Sequence, residues 1–304
     1  MGSILVVGSV AFDSIRTPFG EVTEALGGSA TYFSLVASLY NQVNLVGVVG
    51  EDFPREHVNL FQAKGVDTGG LQVAAGQTFR WAGRYEYDLN TAHTLDTQLN
   101  VFADFHPHLP DSFRESEYVF LANIDPELQV EVLTQVPQAR LRVLDTMNFW
   151  IERKRAQLVD ALGMVDIALM NEAEVRQLAG THSLVTAARR ILAMGPRALV
   201  VKKGEYGAVL FSDSTYFVAP AYPLEEVKDP TGAGDTFAGG FVGYLSTVGD
   251  ATHAAMRRAV VHGSVVASFT VEDFGVGRLV SLKRDDVASR CRDLRRFTLF
   301  EDTD

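Results

Sequence analysis

The residues Lys228-Asp229-Pro230-Thr231-Gly232-Ala233-Gly234-Asp235-Thr236-Phe237-Ala238-Gly239-Gly240-Phe241 form the stretch of this chain most suited to chemistry. Small side chains at 232–234 permit a tight turn whose amides point one way, with a helix expected to begin near Asp235 or Thr236. A glycine-rich turn that opens into a helix makes an anion hole, because free N–H groups and the helix dipole both favour negative charge. Asp235 places a carboxylate beside that anion. One reading makes it a helix N-cap, which Asp serves well. The other makes it a base acting where the anion is handled.

A second polar pair lies at Asn171-Glu172-Ala173-Glu174, where Asn171 and Glu174 are one helical turn apart on one face. On spacing alone it reads either as a helix cap with an exposed glutamate or as part of a site. The histidines show less. His106 and His108 flank Pro107, and His253 and His262 sit on helical patterns without the spacing of a zinc site. Gly8-Ser9-Val10-Ala11-Phe12-Asp13 lacks the later glycines of a dinucleotide-binding turn, and no Gly-Lys-Ser/Thr phosphate loop is present.

These residues need a scaffold. Compact apolar runs at 4–7, 43–49, 118–122, 141–144, 165–170 and 198–202 alternate with amphipathic stretches at 55–64, 126–135, 151–162 and 184–194. Such runs suit strands buried on both faces, so the alternation predicts an α/β chain with a doubly wound, mostly parallel sheet. Residues of about 12–25 and 72–102 break the pattern. The second contains Thr78-Phe79-Arg80-Trp81-Ala82-Gly83-Arg84-Tyr85-Glu86-Tyr87, a two-residue alternation that predicts a small antiparallel lid. The aromatics Phe79, Trp81, Tyr85 and Tyr87 are expected either to pack the lid or to stack on a base. The remainder, over 1–304, reads as a single domain.

Composition excludes several classes. The net charge of −11 argues against a general nucleic-acid binder. Cys291 is the only cysteine, which excludes an internal disulfide and suits a reducing, cytoplasmic setting. The first residues read as a strand, not a signal peptide, and no apolar run reaches the about 18–20 residues of a membrane span.

Asp229-Pro230-Thr231-Gly232-Ala233-Gly234-Asp235 resembles the second signature of the PfkB, ribokinase-like carbohydrate kinases, D-T-x-G-A-G-D, with Pro230 standing inside its opening. Val6 to Asp13 resembles that family's first strand, Gly27-Gly28-Ser29-Ala30-Thr31 its Gly-Gly turn, and Val46-Gly47-Val48-Val49-Gly50-Glu51-Asp52 its V-G-x-x-G-x-D block. Asn171 to Glu174 resembles its N-x-x-E motif and Val200 to Ala208 its nucleotide-side strand and turn. The resemblance implies an ATP- and Mg²⁺-dependent kinase acting on a hydroxymethyl group. Asp235 would be the base, with the Gly232, Ala233 and Gly234 amides around the transferred phosphoryl group.

It further implies Asp13, Gly27 and Gly28 on the substrate side, with a solvent-facing Asp13 as the bland alternative. The nucleotide side would hold Asn171, Lys203, Gly204, Gly207, Thr231, Gly232 and Gly234. Glu174 would act on Mg²⁺ through water, and Asp229 with Thr231, beside Phe274-Gly275-Val276-Gly277, would offer a K⁺ site. His262 is a candidate for the adenine pocket, or else a core or surface histidine. The chain departs from the pattern where Thr31 or Tyr32 and Ala11 stand in place of asparagines that bind sugar. A pentose such as D-ribose is the leading substrate, a nucleoside kinase of the same family the alternative, and a non-catalytic sugar or nucleotide sensor a third reading. A homodimer through the lids is expected, because the apolar lid face with Phe79 and Trp81 should not reach the main core.

Overall fold

Aliphatic strands alternate inward-facing residues to two opposite faces, and this chain uses both faces. The computed structural model describes residues 2–212, 215–299 and 301. The strands are β1 Ile4–Val7, β2 Ala11–Thr17, β3 Gly20–Gly27, β4 Val43–Gly50, β5 Val66–Ala74, β6 Phe79–Tyr85 and β7 Ala92–Gln98. They continue with β8 Tyr118–Leu121, β9 Leu141–Asp145, β10 Ile167–Asn171, β11 Ala198–Lys202, β12 Ala208–Ser212 and β13 Thr215–Ala219. The first helices are α1 Ser29–Ala37, α2 Arg55–Ala63, α3 Pro126–Gln135, α4 Asn148–Arg153, α5 Arg155–Leu162, α6 Glu172–Ala179 and α7 Leu184–Leu192. The last are α8 Ala233–Val248, α9 His253–Thr270, α10 Gly277–Ser281 and α11 Arg284–Thr298.

Nine strands form one sheet in the order β13-β12-β11-β10-β9-β8-β1-β4-β5, parallel from β5 to β11 and antiparallel at β12 and β13. Ile4 and Val6 face a core closed by α1, α8 and α9, while Leu5 and Val7 face one closed by α3, α5, α6 and α7. Phe33 of α1 stacks on Phe120 of β8 with ring centroids 4.3 Å apart, which docks the helix that follows the Gly27-Gly28 turn. Among the described residues no helix is long and apolar enough to cross a membrane. The stretch expected as one helix over 151–162 is two, broken at Lys154, whose ammonium turns to Asp125 (2.7 Å) and Glu127 (2.6 Å).

The second sheet is the lid, ordered β3-β2-β6-β7. It is mixed, not wholly antiparallel: β2 and β6 pair in parallel at its centre. A long passage through the main sheet separates those two strands, so the chain can re-enter in the same direction. Residues 72–74 belong to β5 at the edge of the large sheet, outside the lid. Phe79 also departs from expectation. Its ring stacks on Phe102 (5.4 Å), and Phe102 stacks on the buried Phe105 (5.6 Å), so this lid face does meet the main core. Trp81 stays within the lid and donates from Nε1 to Thr94 (3.2 Å).

A polar clamp joins lid to body. Asp52, at the end of the V-G-x-x-G-x-D block, accepts from the Thr78 amide (2.8 Å) and hydroxyl (2.7 Å) and pairs with Arg80 (2.8 Å). Arg80 also binds Glu24 of β3 (2.7 Å) and lies over the Phe12 ring. The Thr78 and Arg80 donors hold the Asp52 carboxyl below the usual carboxylate range. Asp52→Ala leaves the buried Thr78 amide without its acceptor and is expected to cost about 1–3 kcal/mol in urea denaturation. The same variant should be cut faster within 79–98 by a protease. In the native protein the benefit is lost as acid protonates Asp52, so the gap between variant and native should close at low pH.

Candidate active site

Gly232 adopts φ +75°, and the Tyr32 ring of α1 lies where its Cβ would stand, 2.4 Å away. A left-handed backbone under an aromatic ring admits only glycine. From that turn α8 begins at Ala233, two residues earlier than expected. Gly232 is therefore the N-cap and Asp235 lies inside the first helical turn, which removes the capping explanation for its carboxylate. Of the amides expected in the anion hole, that of Ala233 donates to the Pro230 carbonyl (3.2 Å), whereas that of Gly234 has no acceptor among the described residues.

Four carboxylates crowd this end of the sheet. Burial and the neighbouring Asp145 push Asp235 up to about 7, while Lys202 pulls against them. Asp13 is buried and is likewise pushed to about 7 by burial, with Asp229 and Asp235 adding to the shift and the Gly28 amide opposing it. A Cβ on Gly27 would stand 2.0 Å from the Asp13 carboxylate, and Gly28 has φ +92°, so the glycine pair leaves Asp13 its room. Glu174 is pushed to about 8 by burial and by Asp145, against Lys202 and the Asn171 amide. Lys202 donates to Asp145 at 2.5 Å, with both side chains largely buried.

Asn171 and Glu174 do form a capping box. Asn171 Oδ1 accepts from the Glu174 amide (2.9 Å), and Glu174 Oε2 accepts from the Asn171 amide (2.7 Å). The glutamate is nonetheless buried, not exposed as a plain cap would leave it. Asp229 accepts from the Thr231 amide (2.8 Å) and the Gly275 amide (3.1 Å), tying the turn to the glycine-containing bend after α9. Thr231 donates from Oγ1 to the Tyr85 hydroxyl (3.1 Å), so lid strand β6 touches the motif directly.

A cavity of 720 Å³ opens beside the α8 N-terminus. Gly204, Gly207 and Gly234 line it as expected, together with Lys202 and the lid tip from Tyr87 to Asn90. Of the other residues expected on the nucleotide side, Asn171, Thr231, Gly232, Lys203 and His262 lie outside this lining. Lys203, just past the end of β11, lies 3.7 Å from Glu172. His262 stacks on Tyr244 (4.2 Å) and pairs with the Tyr40 hydroxyl (3.0 Å), and burial pushes it down to about 4. On α9 it is two residues from Ser264, on the other side of the helix from the lining residues Ser264, Ala267 and Ser268.

Asp145, Lys202 and Tyr32 escaped the reading of the chain, although Asp145 and Lys202 had a signal. Each ends a buried parallel strand, where α/β sheets place their ligand sites. Tyr32 had only its departure from the family asparagine, and its hydroxyl is buried without a partner. Among the described residues no three His, Cys, Asp or Glu side chains form a set able to hold a metal alone. The buried Asp145 and Glu174 and the partly exposed Asp235 share the one ammonium of Lys202, a charge deficit that a hydrated cation arriving on an anionic ligand would relieve. The donor set fits Mg²⁺ held through water and phosphate, as that ion commonly is.

A glycine turn opening into a helix, a carboxylate raised toward neutrality and an adjoining cavity at the sheet edge suit a phosphotransferase of the doubly wound α/β class. Residues 1–282 match the model of the pfkB family carbohydrate kinases. The chain belongs to that family and has its ribokinase-like fold. It is 29% identical over 247 residues to a cytidine kinase of Thermococcus kodakarensis, covering 80% of this chain and 88% of that one. It is 28% identical over 305 residues to a nucleoside kinase of Methanothermobacter thermautotrophicus, covering 90% of each. A protein described as Ribokinase II from E. coli, solved with ATP and Mg²⁺, superposes with a TM-score of 0.79 at 18% identity, covering 96% of this chain and 100% of that one.

Asp235→Asn should lower kcat by at least about 10²-fold, the usual range for a lost general base. The native kcat/KM should fall on the acid side with an apparent pKa near 7, the value to which burial and Asp145 raise Asp235. The raised folded value means that the native state gives up stability as pH rises from the ordinary carboxylate value of 3.8 to about 7. Asp235→Asn should therefore melt higher than the native protein at pH 8, with the difference shrinking as pH falls toward about 4. Retention of more than about a tenth of kcat would remove Asp235 from the role of base.

Proposed function

We propose that this kinase phosphorylates the hydroxymethyl group of a nucleoside, with MgATP as donor. The observation that carries the reading is that two relatives covering 80% and 90% of the chain, at 29% and 28% identity, are a cytidine kinase and a nucleoside kinase. Two features of the site agree. Ala11 and Tyr32 replace amides suited to a free sugar, so the pocket around Asp13 is less polar than a ribose site needs. After β9, the exposed Met147 leads into α4, which carries the exposed Phe149 and then Trp150, whose indole donates to Asn123 (3.0 Å) in the segment after β8. An aromatic and thioether surface of this kind suits a flat base. D-ribose, the first expectation from the sequence, is the weaker reading on these grounds.

In this reading Asp13 accepts hydrogen bonds from ribose hydroxyls and orients the hydroxymethyl group toward Asp235. Asp235 takes the hydroxyl proton as the oxygen attacks. The Gly234 amide and the α8 dipole stabilise charge on the transferred group, and Gly204 and Gly207 let the donor approach the backbone. Glu174 would hold Mg²⁺ through water, with Asn171 fixing the glutamate, and Mg²⁺ supplies neutralisation of phosphate charge. Asp229 with the Thr231 carbonyl, beside the bend that Gly275 joins to it, is the proposed K⁺ site. The single cysteine suits a cytoplasmic enzyme. Strand β7, exposed along its length at the lid edge, is the proposed dimer contact.

An ADP-release screen over cytidine, uridine, adenosine, inosine, D-ribose and hexoses, with and without K⁺, tests the reading. A nucleoside should exceed D-ribose in kcat/KM by about 10²-fold or more, since a site built for a base loses that contact with the free sugar. Faster turnover of D-ribose would overturn it. Light scattering at micromolar concentration should give twice the monomer mass, and introducing charges on β7, Thr94→Lys with Leu95→Glu, should return the monomer.

A further inference from the structure

Lys202 sits where a phosphoryl group would meet the protein. It ends β11, pairs in register with Asn171 of β10, and lines the cavity beside Ala233 and Gly234. Its Nζ lies 3.1 Å from where a Cβ on Gly234 would stand, so the ammonium lies close against the backbone of the glycine turn. One of its three N–H donors is given to Asp145 at 2.5 Å. The other two find no acceptor among the described residues, and the side chain, 16% exposed, opens onto the cavity, which leaves those donors available to a ligand there. Asp145 is itself pinned, accepting from the Thr146 amide at 2.9 Å.

We propose that Lys202 is a catalytic residue of this kinase: Asp145 holds its ammonium against Gly234, and its two free N–H groups bind the oxygens of the transferring phosphoryl group and of the leaving diphosphate. The chemistry balances without a proton from Lys202. The acceptor hydroxyl gives its proton to Asp235 and its oxygen bonds to the γ-phosphorus. The bond from that phosphorus to the β–γ bridging oxygen breaks, and the nucleoside diphosphate departs with the electron pair. Negative charge grows on the bridging oxygen during the step, and an ammonium fixed beside it stabilises that charge more than it stabilises bound ATP. Lys202 has a second effect on the same reaction. The groups facing Asp235 are Asp13 and Tyr85 of the lid, Tyr32 of α1, and Asp145, Glu174 and Lys202 of the sheet edge. Lys202 is the one cation among them, and it keeps the base usable near neutral pH.

The test compares Lys202→Met with the double variant Lys202→Met, Asp145→Asn, which removes the pair as a unit and leaves no orphan buried carboxylate. Each is assayed with the best acceptor found, and by calorimetry with MgATP and with AMP in the absence of acceptor. Both variants should lose about 10²-fold in kcat, the usual effect of removing a donor to developing charge. Binding of ATP should weaken about tenfold while AMP, which lacks the outer phosphates, binds as before. The acid limb of the rate profile should move to higher pH in Lys202→Met, because the cation opposing the other carboxylates is gone, and return toward its native place in the double variant. Lys202→Arg should recover part of the rate. Should the single variant fail to fold, the double variant carries the same rate and binding comparison. A double variant that keeps more than about a third of native kcat, against the expected 10²-fold, overturns the proposal. Equal weakening of ATP and AMP in a folded variant also overturns it, because a purely structural lysine would act on both alike. Neither outcome depends on which acceptor the enzyme prefers, so failure here is separable from failure of the nucleoside reading.

Discussion

Excess negative charge held at the carboxyl edge of a buried sheet is the constraint on which this molecule is organised. Burial raises Asp13, Asp145, Glu174 and Asp235, neighbouring carboxylates add to the shift at Asp13, Glu174 and Asp235, and Lys202 is the cation set among them. Water would screen such a cluster, but the surrounding elements largely exclude it. The fold tolerates the repulsion because amides answer part of it: Gly28 at Asp13, Asn171 at Glu174 and Thr146 at Asp145. What remains makes the site receptive to cations and sets a carboxylate near neutrality, as a base requires.

The lid follows from the same arrangement. Asp13 lies on β2, so the strand that brings this carboxylate to the cluster is also a central strand of the lid. Tyr85 on the neighbouring β6 reaches Thr231 of the motif, and the lid tip lines the cavity on the donor side. The Asp52 clamp at the other end fixes where the ribbon leaves the body. A small sheet would be marginal alone. Here it is held at both ends by polar contacts and along one face by the Phe79–Phe102–Phe105 stack.

Much of this was legible in the chain. Runs such as 4–7 and 198–202 were read as strands because aliphatic residues buried on both faces leave no polar alternation. The tight turn at 232–234 is legible because small residues are needed to make it. The lid was recognised from alternation, although its central parallel pairing was not, since local pattern carries no information on strand direction. Lys203 and His262 illustrate the limit. Both lie in segments that border the cavity, but which residue of a turn or helix faces it depends on local backbone geometry that residue type does not reveal.

By itself the sequence determined the class of chemistry, through Gly232-Ala233-Gly234-Asp235, and the layered α/β architecture, through the alternation of buried strands and amphipathic helices. These are local properties: a turn, a periodicity, a run of residue types. Tertiary structure alone decided that Asp235 lies within a helix and does not cap it, that Lys202 and not Lys203 enters the site, and that Asp145, 57 residues away from Lys202 in sequence, grips it. It also decided how strongly the carboxylates disturb one another. Burial and distance set that disturbance, and both exist only once strands far apart in the chain end side by side.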